Sequence, residues 1–214
     1  MLKIAHRGYS QYYEDNTLEA FEQALKHGFT MIELDIQLDK NKELIAFHDV
    51  SIGDKWVKDM TFAEILQIHP KTLSIDQFFT RFDYQSIMLY FDLKGDAEVV
   101  PYLLDYIRTY KINTSKIWFA SFNFEHLDLL YKDSSEHKLG LITDNCFSCA
   151  MLNEMIKKYQ LKFICFHWTA LNHKSIEFLH AQHVNVFVYT VTSKHIITLT
   201  SNYHIDGMVS DIKI

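Results

Sequence analysis

The stretch Met31-Ile32-Glu33-Leu34-Asp35-Ile36-Gln37-Leu38 decides how the rest of the chain is read. Its residues run at strand spacing, and a period of two puts Glu33 and Asp35 on one face while Ile32, Leu34 and Ile36 share the other. A strand that sets two carboxylates among apolar residues carries polar groups that a purely structural strand does not need. The same design recurs around it. Leu2-Lys3-Ile4-Ala5 ends in His6-Arg7-Gly8, Glu43 to Phe47 ends in His48-Asp49, and Tyr90-Phe91-Asp92-Leu93-Lys94 closes a further apolar run.

Periodicity outward from this strand predicts a helix from Leu18 to Lys26 with Gly28 behind it, then a hairpin through Asp39-Lys40-Asn41-Lys42. Thr61-Phe62-Ala63-Glu64 and Ser74-Ile75-Asp76-Gln77 have the capping-box pattern and open two short helices. Strand and helix then alternate. Strands are expected at Ile87 to Leu93, Ile117 to Ser121, Leu139 to Thr143, Phe163 to Phe166, Val184 to Val191 and Gly207 to Val209. Helices are expected at Ala97 to Tyr110, Phe124 to Tyr131, Cys146 to Tyr159, Ser175 to Ala181 and Ile196 to Ser201.

With Leu2 to Ala5 and Met31 to Leu38 this gives eight strands apart from the hairpin return, each apolar enough to be buried on both faces. An open doubly wound sheet is the alternative. Polar residues follow so many different strands, however, that they converge on one spot only if the sheet closes. The expected fold is therefore α/β, a (β/α)8 TIM barrel forming one domain over 1–214. Two prolines and six glycines leave little room for linkers.

A chain of 214 residues, 48% hydrophobic and 22% charged, has an ordinary globular composition, and its net charge of −6 disfavours nucleic acid and anionic membranes as partners. No apolar run reaches membrane-spanning length, so stable membrane insertion is not expected, and the first strand begins without a signal-peptide pattern, which reads as cytoplasmic. Cys146, Cys149 and Cys165 are read as ordinary helix and strand residues in a reducing compartment, because the C-x-x-C pair lacks a second ligand pair. Oligomeric state is left open.

Glu33, Asp35 and Asp92 offer three carboxylates without cysteine or histidine at ligand spacing, an oxygen set suited to one hard divalent cation, Mg²⁺ or Ca²⁺, with Mn²⁺ a further candidate. The competing reading leaves Glu33 and Asp35 in solvent on an edge strand. Of the twelve histidines, His6 and His48 stand out as acid and base because each follows a strand and has an ion partner beside it, Arg7 and Asp49 respectively. Arg7 and Lys94 add the cations that a phosphate diester on a metal calls for, or else merely balance Glu33 and Asp92 in buried ion pairs.

These residues resemble the glycerophosphodiester phosphodiesterase family, and the likeness runs from end to end. It rests on Ile4-Ala5-His6-Arg7-Gly8, Glu14-Asp15-Asn16-Thr17-Leu18-Glu19-Ala20-Phe21, Ile32 to Leu38, and Phe47-His48-Asp49 with His48 fifteen residues after Glu33. It continues more loosely through Lys71-Thr72-Leu73-Ser74, Phe91 to Lys94, Ala120-Ser121-Phe122, Val188-Tyr189-Thr190-Val191 and Asp206 to Asp211. The resemblance implies a β/α barrel with a divalent cation on Glu33, Asp35 and Asp92, His6 and His48 as the catalytic pair, and Arg7 and Lys94 on the phosphate. The implied substrates are glycerophosphodiesters, small molecules cleaved to glycerol phosphate and an alcohol.

The chain departs from the family pattern in places. Glu14 replaces a proline, Asp15 and Asp92 stand where glutamates are usual, and Tyr189 replaces a common tryptophan. The segment between Asp49 and Thr61 is short, which implies a more open pocket. Phe122, His167, Trp168 and Tyr189 are candidate pocket residues, with core or wall packing the alternative for Phe122 and Trp168. Two rival functions fit the same residues: lysophospholipase D-like cleavage of lipid head groups, and a non-catalytic barrel that binds phosphate or lipid.

Overall fold

The computed structural model describes residues 1–214. Eight parallel strands form its centre: β1 (Leu2–Ala5), β2 (Met31–Leu38), β3 (Met88–Leu93), β4 (Ile117–Ser121), β5 (Lys138–Thr143), β6 (Phe163–His167), β7 (Asn185–Val191) and β8 (Gly207–Ser210). Each pairs with the next in chain order, and β1 pairs with both β8 (Leu2↔Gly207) and β2 (Ile4↔Met31). The sheet therefore closes into the eight-stranded barrel expected from the sequence.

Around it lie α1 (Leu18–Lys26), α2 (Phe62–Ile68), α3 (Ile75–Arg81), α4 (Val99–Thr109), α5 (Phe124–Asp133), α6 (Cys149–Tyr159), α7 (His173–Ala181) and α8 (Lys194–Thr200). Both α2 and α3 carry a complete capping box, at Thr61 with Glu64 and at Ser74 with Gln77. None of the helices is long and apolar enough to cross a membrane.

Closure explains why β2 is buried along its whole length. Its outer-facing Ile32, Leu34 and Ile36 join the large core between barrel and helices. Its inner face begins with Met31, which packs in a smaller core with Ile4, Tyr90, Phe163, Cys165 and Phe187 inside the barrel. Phe163 and Phe187 lie 4.7 Å apart, and Tyr90 meets Phe163 edge-on at 5.3 Å. That aromatic layer is a floor. Two residues further along β2 and β3 the inward positions become Glu33 and Asp92, so the period of two turns an apolar floor into an acidic layer above it.

The hairpin return is Leu44–Ala46, antiparallel to β2. Asp39 fixes its turn, accepting from the Glu43 amide at 2.7 Å and, through its other oxygen, from the Phe62 amide at 2.8 Å. A small ribbon, Ser51–Ile52 against Lys55–Trp56, follows in a region that periodicity left unassigned. Two-residue strands are too short to register as a pattern. One expectation is corrected: α6 starts at Cys149, with Ser148 as its cap, so Cys146 lies in the preceding loop and its thiol faces the Ala170 carbonyl at 3.3 Å. The Ser148 hydroxyl accepts from the Met151 amide, and this capping bond sets the boundary. All three cysteines are free thiols.

Candidate active site

The site lies at the C-terminal ends of the strands. Register places Asp35 of β2 directly across from Asp92 of β3, with Glu33 one inward step below. One ligand atom from each of Glu33, Asp35 and Asp92 lies within 4.8 Å of the others, and the three residues are 3%, 1% and 7% exposed. The edge-strand reading of Glu33 and Asp35 is thereby excluded.

Arg7 and Lys94 neutralise this cluster from two sides. The Arg7 backbone amide donates to Glu33 at 2.8 Å, and its guanidinium reaches Asp35 at 3.3 Å and Asp15 at 3.0 Å. Lys94 donates to Asp92 at 2.6 Å and lies 3.3 Å from Asp35. The Arg7 amide can point at Glu33 because Arg7 and Gly8 both adopt positive φ, 56° and 85°. Glycine is required at the second position, since a Cβ there would stand 2.7 Å from the backbone and Cβ of Ala20 on α1.

The three acids do not share the charge equally. Burial, then the charges of Asp35 and Asp92, push Glu33 well above the usual carboxylate range. Burial opposes ionisation of Asp35 too, but Lys94 and Arg7 outweigh it and hold that group below its ordinary value. Asp92 is pushed up to about 7 by burial, against the pull of Lys94. One of its oxygens, Oδ1, is buried without any hydrogen-bond partner. An unpartnered buried carboxylate oxygen beside two more carboxylates is the donor set a hard divalent cation completes, so the residues fit such an ion.

The histidines flank the acids, each backed by an aspartate. His6 Nδ1 lies 2.6 Å from Asp211, which also accepts from the Ser10 hydroxyl at 2.9 Å, and His48 Nδ1 lies 2.7 Å from Asp49. A carboxylate only accepts, so Nδ1 carries the proton in both rings and Nε2 is left for chemistry. His6, Arg7, Glu33, Asp35, His48, Asp92 and Lys94 all line one cavity of about 90 Å³, with Phe122 and Tyr189 at its side. Phe122 meets Tyr189 edge-on at 5.9 Å and lies under the Lys94 ammonium at 5.3 Å. His167 and Trp168 are placed differently. His167 bonds Thr169 and meets Tyr189 edge-on at 5.6 Å, and Trp168 packs against the large core; neither lines the cavity.

Two site residues had no assigned role from sequence. Asn16 brackets Asp35, donating to its carboxylate at 2.8 Å and accepting from its amide at 3.2 Å. Asp211 comes from beyond β8, more than two hundred residues from His6. Both lie inside quoted stretches of the pattern, yet an amide and an acid in loops carry no periodic signal of what they face.

A closed barrel with acids, histidines and paired cations at the C-terminal end of its strands defines a β/α-barrel phosphodiesterase. Residues 6–82 match the model of the glycerophosphoryl diester phosphodiesterase family. The chain is 26% identical over 233 residues to a glycerophosphodiester phosphodiesterase of Caldanaerobacter subterraneus, covering 98% of this chain and 93% of that protein. Among solved structures, the Thermotoga maritima glycerophosphodiester phosphodiesterase matches with a TM-score of 0.83 at 24% identity, over 99% of this chain and 94% of that one. An Oleispira antarctica phosphodiesterase, solved with the product sn-glycerol-3-phosphate, matches at 0.89 and 18%, over 100% and 94%.

Proposed function

We propose that this chain is a divalent-cation-dependent phosphodiesterase that hydrolyses glycerophosphodiesters to glycerol 3-phosphate and an alcohol, with His6 and His48 as its acid and base. The observation that carries the reading is the lone Asp92 oxygen in a buried triad that shares one cavity with two carboxylate-backed imidazoles and two cations.

Glu33, Asp35 and Asp92 would hold the cation, which when bound supplies Lewis-acid stabilisation of charge on the phosphate. Arg7 and Lys94, already drawn in by the acids, present their remaining N–H groups to the nonbridging oxygens. One imidazole takes a proton at Nε2 from the attacking hydroxyl, and the other gives its Nε2 proton to the leaving alcohol oxygen. Asp211 and Asp49 hold the two rings in orientation. Phe122 and Tyr189 wall the cavity beside Lys94, where an apolar stretch of glycerol or alcohol carbon can lie. His167 and Trp168 are given no part.

The test is release of glycerol 3-phosphate from glycerophosphocholine and glycerophosphoethanolamine, with Mg²⁺, Ca²⁺, Mn²⁺ or EDTA. Cation-dependent turnover that Glu33→Ala and His6→Ala each lower by orders of magnitude supports the reading. Turnover unaffected by EDTA sinks it, and turnover on lysophospholipids alone replaces it with the lipid-directed reading.

A further inference from the structure

The return strand Leu44–Ala46 pairs with β2 as far as Ile36↔Ala46, and the Phe47 amide adds a last bond to the Asp35 carbonyl at 3.2 Å. From there the chain leaves the sheet as Phe47-His48-Asp49, without regular structure. Carbonyls in such a segment need donors. Two of them, those of Phe47 and Asp49, accept from the same nitrogen, Nε2 of Gln37, at 2.7 and 2.9 Å. Two carbonyl acceptors fix which way the amide points, because only its NH₂ end can donate to both. Gln37 is 3% exposed and follows Glu33 and Asp35 on the inner face of β2.

Beyond Asp49 the chain is next held at Val50, whose carbonyl accepts from the Val57 amide at 2.9 Å. Phe47 is anchored by its ring, which packs edge-on against His69 at 5.1 Å. The His48 and Asp49 side chains, by contrast, are 37% and 70% exposed, so packing does not dictate where the imidazole sits. The Phe47–His48 and Asp49–Val50 peptide groups, which bracket His48 and Asp49, are pinned by one amide, so the imidazole and its carboxylate partner both hang from backbone held at its two ends.

We propose that Gln37 is a positioning residue for His48: its amide continues the β2 ladder by side chain where backbone pairing ends, and so sets the imidazole in register with the acids on the same strand. The proposal rests on the proton-transfer role given to His48 above.

The test is Gln37→Met, which keeps the volume and removes both donors, measured alone and together with His48→Ala. Loss of alignment predicts a kcat lower by roughly ten- to a hundredfold, with KM for glycerophosphocholine and Mg²⁺ affinity by calorimetry within about twofold of wild type. A residue that acts through His48 adds nothing once His48 is gone, so the double variant should be no slower than His48→Ala alone. Effects that multiply in the double variant, or Mg²⁺ affinity that falls in step with kcat, overturn the proposal. Imidazole nitrogen NMR of the protein without substrate gives a readout independent of turnover: the His48 resonances should shift or broaden in Gln37→Met while those of His6 stay. If wild-type protein cleaves no diester, the phosphodiesterase reading fails on its own and the NMR decides positioning; unmoved His48 resonances overturn it. Gln37→Asn, one methylene too short to reach both carbonyls, is the second variant should Gln37→Met not fold, and the same split between kcat and KM is expected of it.

Discussion

Glu33 and Asp92 are acids held where ionisation is opposed, by burial and by each other's neighbours, and that opposition is what a cation relieves. Glu33→Gln keeps the shape and removes the charge. Its melting temperature without cation should match or exceed that of wild type, since a disfavoured buried charge is gone, while the rise produced by adding cation to wild type should vanish. Thermal melts with and without Mg²⁺ check both. Asp92→Glu tests the shorter ligand: one more methylene brings the carboxylate further into the cavity, so the relative turnover with Mg²⁺, Ca²⁺ and Mn²⁺ should change order or spread, and an unchanged profile removes Asp92 from ion selection. These acids were legible in the sequence because strand spacing fixes which face they share. Asn16 and Asp211 were not, since their partners are set by how loops from distant elements meet.

At the scale of elements, the site depends on a turn that only glycine can make. Gly8→Ala places a Cβ against α1 at a positive φ, and a cost of about 1–3 kcal/mol is expected from the backbone alone. Because Arg7 precedes it, the same change should pull the Arg7 amide from Glu33, lowering turnover beyond what the lost stability explains; denaturation and kinetics on one preparation separate the two. Away from the site, Asp133 at the end of α5 accepts from Arg108 of α4 at 2.7 Å and from His137 at 2.8 Å. Partial burial opposes its ionisation, but His137 and Arg108 outweigh it and lower its pKa. A depressed carboxylate contributes stability above its unfolded value and loses it as pH falls through the folded one. Asp133→Asn should therefore cost about 1 kcal/mol or less at pH 7, and this difference should disappear on acidification below the folded pKa, as urea titrations across the range would read. Strands buried on both faces were the most legible elements, and the capping boxes marked α2 and α3. The ribbon at Ser51–Trp56 and the loop around Cys146 were not legible, because two-residue strands and a single capping serine leave almost no periodic trace.

For the whole molecule, closure of the barrel is what joins fold and site. The aromatic floor of Tyr90, Phe163 and Phe187 fills the lower half of the barrel, so the acids one layer above have protein beneath them and the cavity opens only toward the strand ends. Closure was legible because charged residues followed too many strands for an open sheet to gather; the way the floor is filled was not, because it depends on which rings interlock across the barrel. Gly140 is the position that shows this. It lies across from Phe163 in the β5–β6 register, and a Cβ there would fall 2.1 Å from the ring, so the ring or the strand would have to shift. Gly140→Ala should destabilise by about 1–3 kcal/mol through overpacking, which for a chain of this length lowers the melting temperature by roughly 2–12 °C. The floor supports the acid layer, so forcing Phe163 upward also crowds the space below Glu33 and Asp92. A variant that only loses stability would retain its cation affinity once folded at low temperature, whereas one whose floor has risen would bind Mg²⁺ more weakly even when fully folded. Calorimetric titration of Gly140→Ala with Mg²⁺ well below its melting point is expected to show the weaker binding. Wild-type affinity there would mean that the barrel absorbs the strain below the acids and that floor and site are mechanically separate.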